Sequence, residues 1–263
     1  MQNEAYKLTG AVAVTSALGF LLRWVQNITI LDPETGLAES GRSISFVVAA
    51  LIVLVAAAIG AAAYAVRKTK AASEPENALA GKTFLYTALC VFPGVLFLAA
   101  GALTLVGSWP EAEILIRRIT GVTALAAGVG SILLASSLTK PEKASARRVC
   151  VVLLILFAAM WLVAEYKAIS SDPVTWRFAV EILAICAALL AYYYVAGYFF
   201  GEPNPPLAVF FCFFGGFLCV MSAVDEHALA ESLCFAAAAF QLFVWGYALV
   251  ANLRRVEEEL PKA

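Results

Sequence analysis

The side chains that could do chemistry in this chain are few, and most are charged residues near the ends of long apolar runs. Arg23 lies near the end of the first run, and Glu165 closes the fifth, one turn after Trp161. Arg177 and Glu181 open the sixth run four residues apart, so a helix would place them on one face. A charge at membrane depth costs about 2.5–3.5 kcal/mol, so ionisable residues there usually mark a function. The pattern predicts a binding site for a polar or charged small molecule, formed by Arg23, Glu165, Arg177 and Glu181.

The same four residues have a simpler interpretation, which their positions near the membrane interface favour. Each lies within a turn or two of a span end, where a long side chain reaches the lipid headgroups and pairs locally. Glu181 fits this interpretation least well. It is the deepest acid of the chain by sequence, two turns into its run, and 20 uncharged residues follow it.

No spacing in the sequence identifies a catalytic centre, a cofactor or a metal site. The single histidine, His227, excludes paired-histidine haem ligation within the chain and H-E-x-x-H zinc chemistry. Its neighbours Asp225, Glu226 and Glu231 are carboxylates, but one histidine with carboxylates in a short turn is more typical of a solvated loop. P-loop and G-x-S-x-G motifs are absent. The sequence therefore favours a protein that is not an enzyme and has no cofactor or metal.

The six cysteines all fall inside or at the edge of apolar runs, and none forms a C-x-x-C pair. This pattern predicts small apolar residues that pack between helices. Cys219 and Cys234 lie near the ends of adjacent runs, and they could approach each other if the geometry permits a disulfide.

Composition assigns the chain to the integral membrane proteins. Apolar residues make up 62% of the 263 residues and charged residues 14%, whereas soluble domains are nearer half apolar and a quarter charged. A span needs about 20 apolar residues, and eight runs reach or approach that length: 8–28, 43–66, 83–105, 119–138, 149–166, 174–199, 206–224 and 232–253. The expected fold is an all-α polytopic bundle of about eight helices arranged as four hairpins. The first run has the weakest sequence signal for a span.

Lysine and arginine predict the orientation of these spans. Twelve of the 18 fall on the side that carries both termini, so the positive-inside rule places both termini in the cytoplasm and the protein in the cell membrane. No charge interrupts the inner halves of the predicted spans. Any polar site is therefore expected at the outer side.

Small residues at helical spacing predict close contacts between helices. Gly121, Ala124 and Gly128 recur in the fourth span, and Ala56 and Gly60 recur in the second. Such spacing lets two backbones approach each other.

The chain is expected to form a single transmembrane domain over residues 1–263. The pattern D-P-x-T occurs at 32–35 and again at 172–175, a spacing consistent with a tandem repeat of four helices over roughly 1–139 and 140–263. The alternative is that Asp-Pro is simply a common turn and helix-start signal.

Two functional hypotheses follow. The first is a small-molecule transporter or permease-type component with an outward-facing polar site. The second is a non-catalytic membrane subunit or scaffold that docks a partner membrane protein, or another copy of itself, through its small-residue faces. The lipid bilayer is a partner in either case, and no basic domain suggests nucleic acid.

Overall fold

The computed structural model describes residues 2–30, 43–66, 69–71, 78–81, 83–138, 144–170 and 178–255. Within these ranges lie eight α-helices, each long and apolar enough to cross a membrane. They are α1 (Gln2–Ile30), α2 (Ser43–Ala65), α3 (Phe84–Val106), α4 (Ile114–Ser137), α5 (Ala144–Ile169), α6 (Ala179–Phe200), α7 (Pro205–Ser222) and α8 (Leu229–Asn252). The predicted multi-pass helical bundle is confirmed, including its first span.

Helices that follow each other in the chain pack as antiparallel pairs, except α2 and α3, and α3 packs against α8. The helices α1 and α2 lie at the edge, against α7 and α8, and they are the least buried of the eight. We call the end where α1, α3, α5 and α7 finish the polar end, and the opposite end the terminal end.

Both ends of the described chain meet at the terminal end. The Tyr6 ring in α1 lies 5.0 Å from the Tyr247 ring in α8. The Asn252 side chain donates hydrogen bonds to the carbonyl oxygens of Ala78 and Ala80. Beside them, β1 (Thr69–Ala71) and β2 (Leu253–Arg255) form a short antiparallel pair. The start of α1 and the end of α8 therefore lie on one side of the bundle, as an even number of spans requires.

The closest helix contact is between α3 and α4, and glycines form it. A Cβ atom on Gly128 would lie 2.8 Å from the carbonyl oxygen of Gly94. One on Gly101 would lie 2.8 Å from the carbonyl oxygen of Gly121. The paired glycines are seven residues apart in each helix, so both crossings lie on the same face. The small-residue contact predicted for the fourth span is confirmed, and Gly94 is added to it.

The matching prediction for the second span is wrong. A Cβ atom on Gly60 would have no neighbour closer than a ring carbon of Phe210, at 3.8 Å. The helix α2 packs on the large side chains of α7, so its small residues do not bring two backbones together.

A neutral hydrogen-bond network crosses the middle of the bundle. The Gln241 amide of α8 donates to Ser131 Oγ of α4 at 2.9 Å, and its oxygen accepts from Tyr192 Oη of α6 at 3.2 Å. All three side chains are buried. The network joins three helices at a depth where lipid offers no partners, and this is the usual role of amides in membrane bundles.

Two arginines lie at the terminal end, just before the predicted fifth span. Arg147 is 1% exposed and donates from Nη2 to the carbonyl oxygen of Ser137 at 2.8 Å. Arg148 donates to the carbonyl oxygen of Phe199 at 2.8 Å. Because α5 begins at Ala144, both residues lie in its first turns, where they satisfy carbonyls at the ends of neighbouring helices.

All six cysteines are free thiols, so Cys219 and Cys234 form no disulfide. Five of the six are buried, and Cys186 is partly buried. The prediction that they pack as small apolar residues is confirmed.

Candidate functional site

Arg117 is the centre of an ionic cluster at the polar end. Its Nη1 lies 2.7 Å from Glu165 Oε1 of α5 and 2.5 Å from Glu231 Oε1 of α8. Its Nε lies 3.3 Å from Glu113 Oε2, one turn earlier in the chain. The guanidinium also sits over the Trp109 ring, 4.7 Å from the centroid. The Arg117 guanidinium therefore forms ion pairs with three carboxylates, which come from three parts of the chain.

Local helix geometry explains why two of these carboxylates are tolerated. Glu231 lies in the first turn of α8, where its Oε2 accepts a hydrogen bond from the Ala228 amide at 3.1 Å. Glu113 immediately precedes α4. Helix N-termini stabilise negative charge, whereas helix C-termini oppose it. Glu165 lies near the C-terminus of α5, so its stabilisation has to come from Arg117.

A second cluster holds α1 to the turn between α7 and α8. Arg23 makes two hydrogen bonds to Asp225, from Nε at 2.8 Å and from Nη2 at 3.2 Å. The Asn27 amide donates to the same carboxylate at 2.7 Å, and Arg23 Nη1 donates to Gln26. Gln26 in turn donates to Ser45 of α2. This cluster fastens both peripheral helices to the polar end.

His227 connects the α7–α8 turn to the bundle interior. Its ring stacks on Phe235 with centroids 4.9 Å apart, and its Nε2 lies 2.9 Å from the carbonyl oxygen of Ser222. Its Nδ1 is 3.8 Å from Glu231 Oε2. The side chain is 5% exposed, so the prediction of a solvated histidine is wrong. Among the described residues, no group of three or more metal-ligating side chains could hold an ion.

An aromatic row continues inward from this histidine. Phe235 lies against Trp161 with ring centroids 4.6 Å apart, Trp161 stacks on Phe157, and Phe157 meets Phe97. The row links α8, α5 and α3. These packed rings form an apolar layer next to the ionic cluster.

Among the described residues, Glu181 is the buried acid of the polar end that has no partner. It is 3% exposed, and among the described residues no donor or cation contacts its carboxylate. It lies in the first turn of α6, not two turns into a span as the sequence predicted. The charged groups that act on it electrostatically are Glu165, Glu231, Asp225 and Arg117. Glu181 therefore interacts electrostatically with the ionic cluster without pairing with any of its members.

Trp161 Nε1 and Ser222 Oγ are among the buried polar atoms that form no hydrogen bond. Trp161 lies one turn before Glu165 in α5, and Ser222 ends α7. Buried polar groups are normally paired, so these two atoms are unusual.

Two of the four residues predicted to form the site lie in separate clusters, since Arg23 binds Asp225 and Glu165 binds Arg117. Glu181 joins neither cluster, and Arg177 lies outside the described residues. Arg23, Glu165 and Glu181 are each at least 96% buried between helices, so their side chains do not extend to the headgroups. Their role in binding stays a prediction.

Three residues of the polar end were missed as members of the site, namely Arg117, Asp225 and Glu231. The sequence placed each of them in a turn outside the spans. The one local signal was Glu113 four residues before Arg117, a spacing that allows an ion pair within a helix that starts earlier than predicted.

No known protein family, curated protein or solved structure matches this chain. A role for the polar end is therefore inferred from its own residues and their contacts.

Proposed function

We propose that this chain is a permease-type transporter, or the membrane component of one, which binds a small, positively charged molecule at the polar end. The observation that carries the proposal is the charge of the buried layer. Counting the described residues that are buried or partly buried, this layer holds five carboxylates and two guanidinium groups. The carboxylates belong to Glu113, Glu165, Glu181, Asp225 and Glu231, and the guanidinium groups to Arg23 and Arg117.

The sign of this layer favours a cation over an anion. Charge that is removed from water is costly unless opposite charge compensates it. Arg117 is already shared by three carboxylates, and Arg23 is matched to Asp225. A bound cation would compensate the remaining negative charge, and the aromatic row beside the cluster offers ring faces that attract organic cations.

The ion pairs of this layer join helices that would have to move relative to each other during transport. They connect α1 to the α7–α8 turn, and α4 to α5 and α8. A cation that competes for these carboxylates would loosen contacts between helices. Binding would thereby be coupled to a change of shape, which transport requires. The excess of lysine and arginine on the terminal side supports an outward-facing polar end.

Ligand-dependent thermal unfolding of the purified protein tests this proposal. The panel comprises ammonium, alkylamines, zwitterionic amino acids, and phosphate as the anion. One cationic class is expected to raise the melting temperature, because a ligand at 100 times its Kd stabilises the native state by about 2.7 kcal/mol. The Glu181→Gln variant should lose this response. The Glu226→Gln variant, an exposed carboxylate in the same turn as Asp225, should keep it.

A wild-type protein that responds to no member of the panel would count against the transporter. A response to phosphate alone would contradict the predicted sign of the substrate.

A further inference from the structure

We infer that Glu181 is a proton-binding site, which carries an exchangeable proton in the first turn of α6, at the polar end. The inference rests on the proposed function for its consequence, since a transporter would use the proton to drive its substrate. The proton site itself is argued from the surroundings of Glu181.

The first argument is burial without compensation. Glu181 is 3% exposed, and no hydrogen bond or ion pair within the described residues satisfies its carboxylate. A buried ionised carboxylate without a partner is among the most costly groups in a protein. Taking up a proton removes that charge without needing any additional space.

The second argument is the sign of the charges that act on it electrostatically. Three are carboxylates, namely Glu165 of α5, Glu231 of α8 and Asp225 of the α7–α8 turn. The one cation among them is Arg117 of α4, which already pairs with Glu113, Glu165 and Glu231. Like charges that share a site favour the protonated form of one of them. Among the described residues, no cation pairs with Glu181 itself.

The surroundings suit a proton better than a metal ion. The described residues include no group of three or more His, Cys, Asp or Glu side chains that could hold a metal. A single carboxylate offers fewer oxygens than hard cations require.

Infrared spectroscopy of the purified protein in lipid bilayers at neutral pH tests the assignment. The wild type should show a carboxylic-acid carbonyl band that shifts in D₂O and disappears at alkaline pH. The band should be lost in Glu181→Gln, which keeps the size and neutral charge of the protonated side chain. It should persist in Glu165→Gln and in the exposed control Glu226→Gln.

Absence of the band in the wild type, or its loss in Glu165→Gln alone, would overturn the assignment. The wild-type titration is informative even if one variant does not fold. Titration with Na⁺ tests the alternative that this site binds a metal ion. If Na⁺ raises the melting temperature of the wild type but not that of Glu181→Gln, and the band is absent, the site binds Na⁺ and the proton assignment is wrong.

The test is independent of the transporter proposal. If the band depends on Glu181 but the protein responds to no ligand, the proton site is supported and the transporter proposal is contradicted. If the protein responds to a ligand but shows no band, the transporter proposal is supported and the proton site is contradicted.

Discussion

Replacing Arg117 with alanine is expected to destabilise the bundle by about 3–5 kcal/mol, because it removes one member of a buried ion-pair network and leaves its partners uncompensated. Glu165 would suffer most, since it is 4% exposed and lies near a helix C-terminus that disfavours negative charge. Glu113 and Glu231 would keep part of their stabilisation from the helix starts. The free energy of unfolding, measured by titration of the purified protein with a denaturing detergent, gives the comparison.

Arg118→Ala is the matched control, because Arg118 is the next residue in the same helix and is exposed. Its effect should stay within about 0.5 kcal/mol. Adding Glu165→Gln to Arg117→Ala should recover part of the loss, since it removes the stranded charge. Equal effects of the two arginine variants would show that Arg117 is not the centre of the cluster.

The Gly128→Ala variant is expected to lose about 1–3 kcal/mol, although alanine is the better helix former. The added Cβ would lie 2.8 Å from the Gly94 carbonyl oxygen and 2.9 Å from the Leu98 nitrogen. Both atoms belong to the backbone of α3, so the two helices must move apart. The same unfolding titration measures the loss.

Gly60→Ala provides the control for this contact. There the nearest atom to the new Cβ would be 3.8 Å away, so the higher helix propensity of alanine should leave stability unchanged or raise it by up to about 1 kcal/mol. If both glycine variants behaved alike, the α3–α4 crossing would not depend on close backbone approach.

The number and order of the helices could be predicted from the sequence, because hydropathy and span length are local properties. The start of α4 could not. Arg117 and Arg118 suggested a span that begins at residue 119, whereas the helix begins at Ile114. A charged residue indicates the end of a span unless its ion-pair partners are known. The distant partners of Arg117 are Glu165, 48 residues away, and Glu231 on α8.

The location of the polar residues at one end of the bundle could be predicted, but their pairing could not. Arg23 was expected beside Glu165 and Glu181, yet its partner is Asp225, 202 residues further along the chain. Pairing depends on which helices are neighbours, and the positions of charges do not encode that. Gln241 was missed for another reason. It is neutral, so a search for charges within spans passes over it.

The central claim is that the polar end binds positive charge in order to move a substrate. Proton flux in proteoliposomes that enclose a pH-sensitive dye tests it most directly. When the small cation that stabilises the purified protein is added outside, wild-type vesicles should show a change in internal pH. Glu181→Gln vesicles should show none, and Glu226→Gln vesicles should match the wild type. An identical pH response in all three, or none in the wild type, would contradict the account.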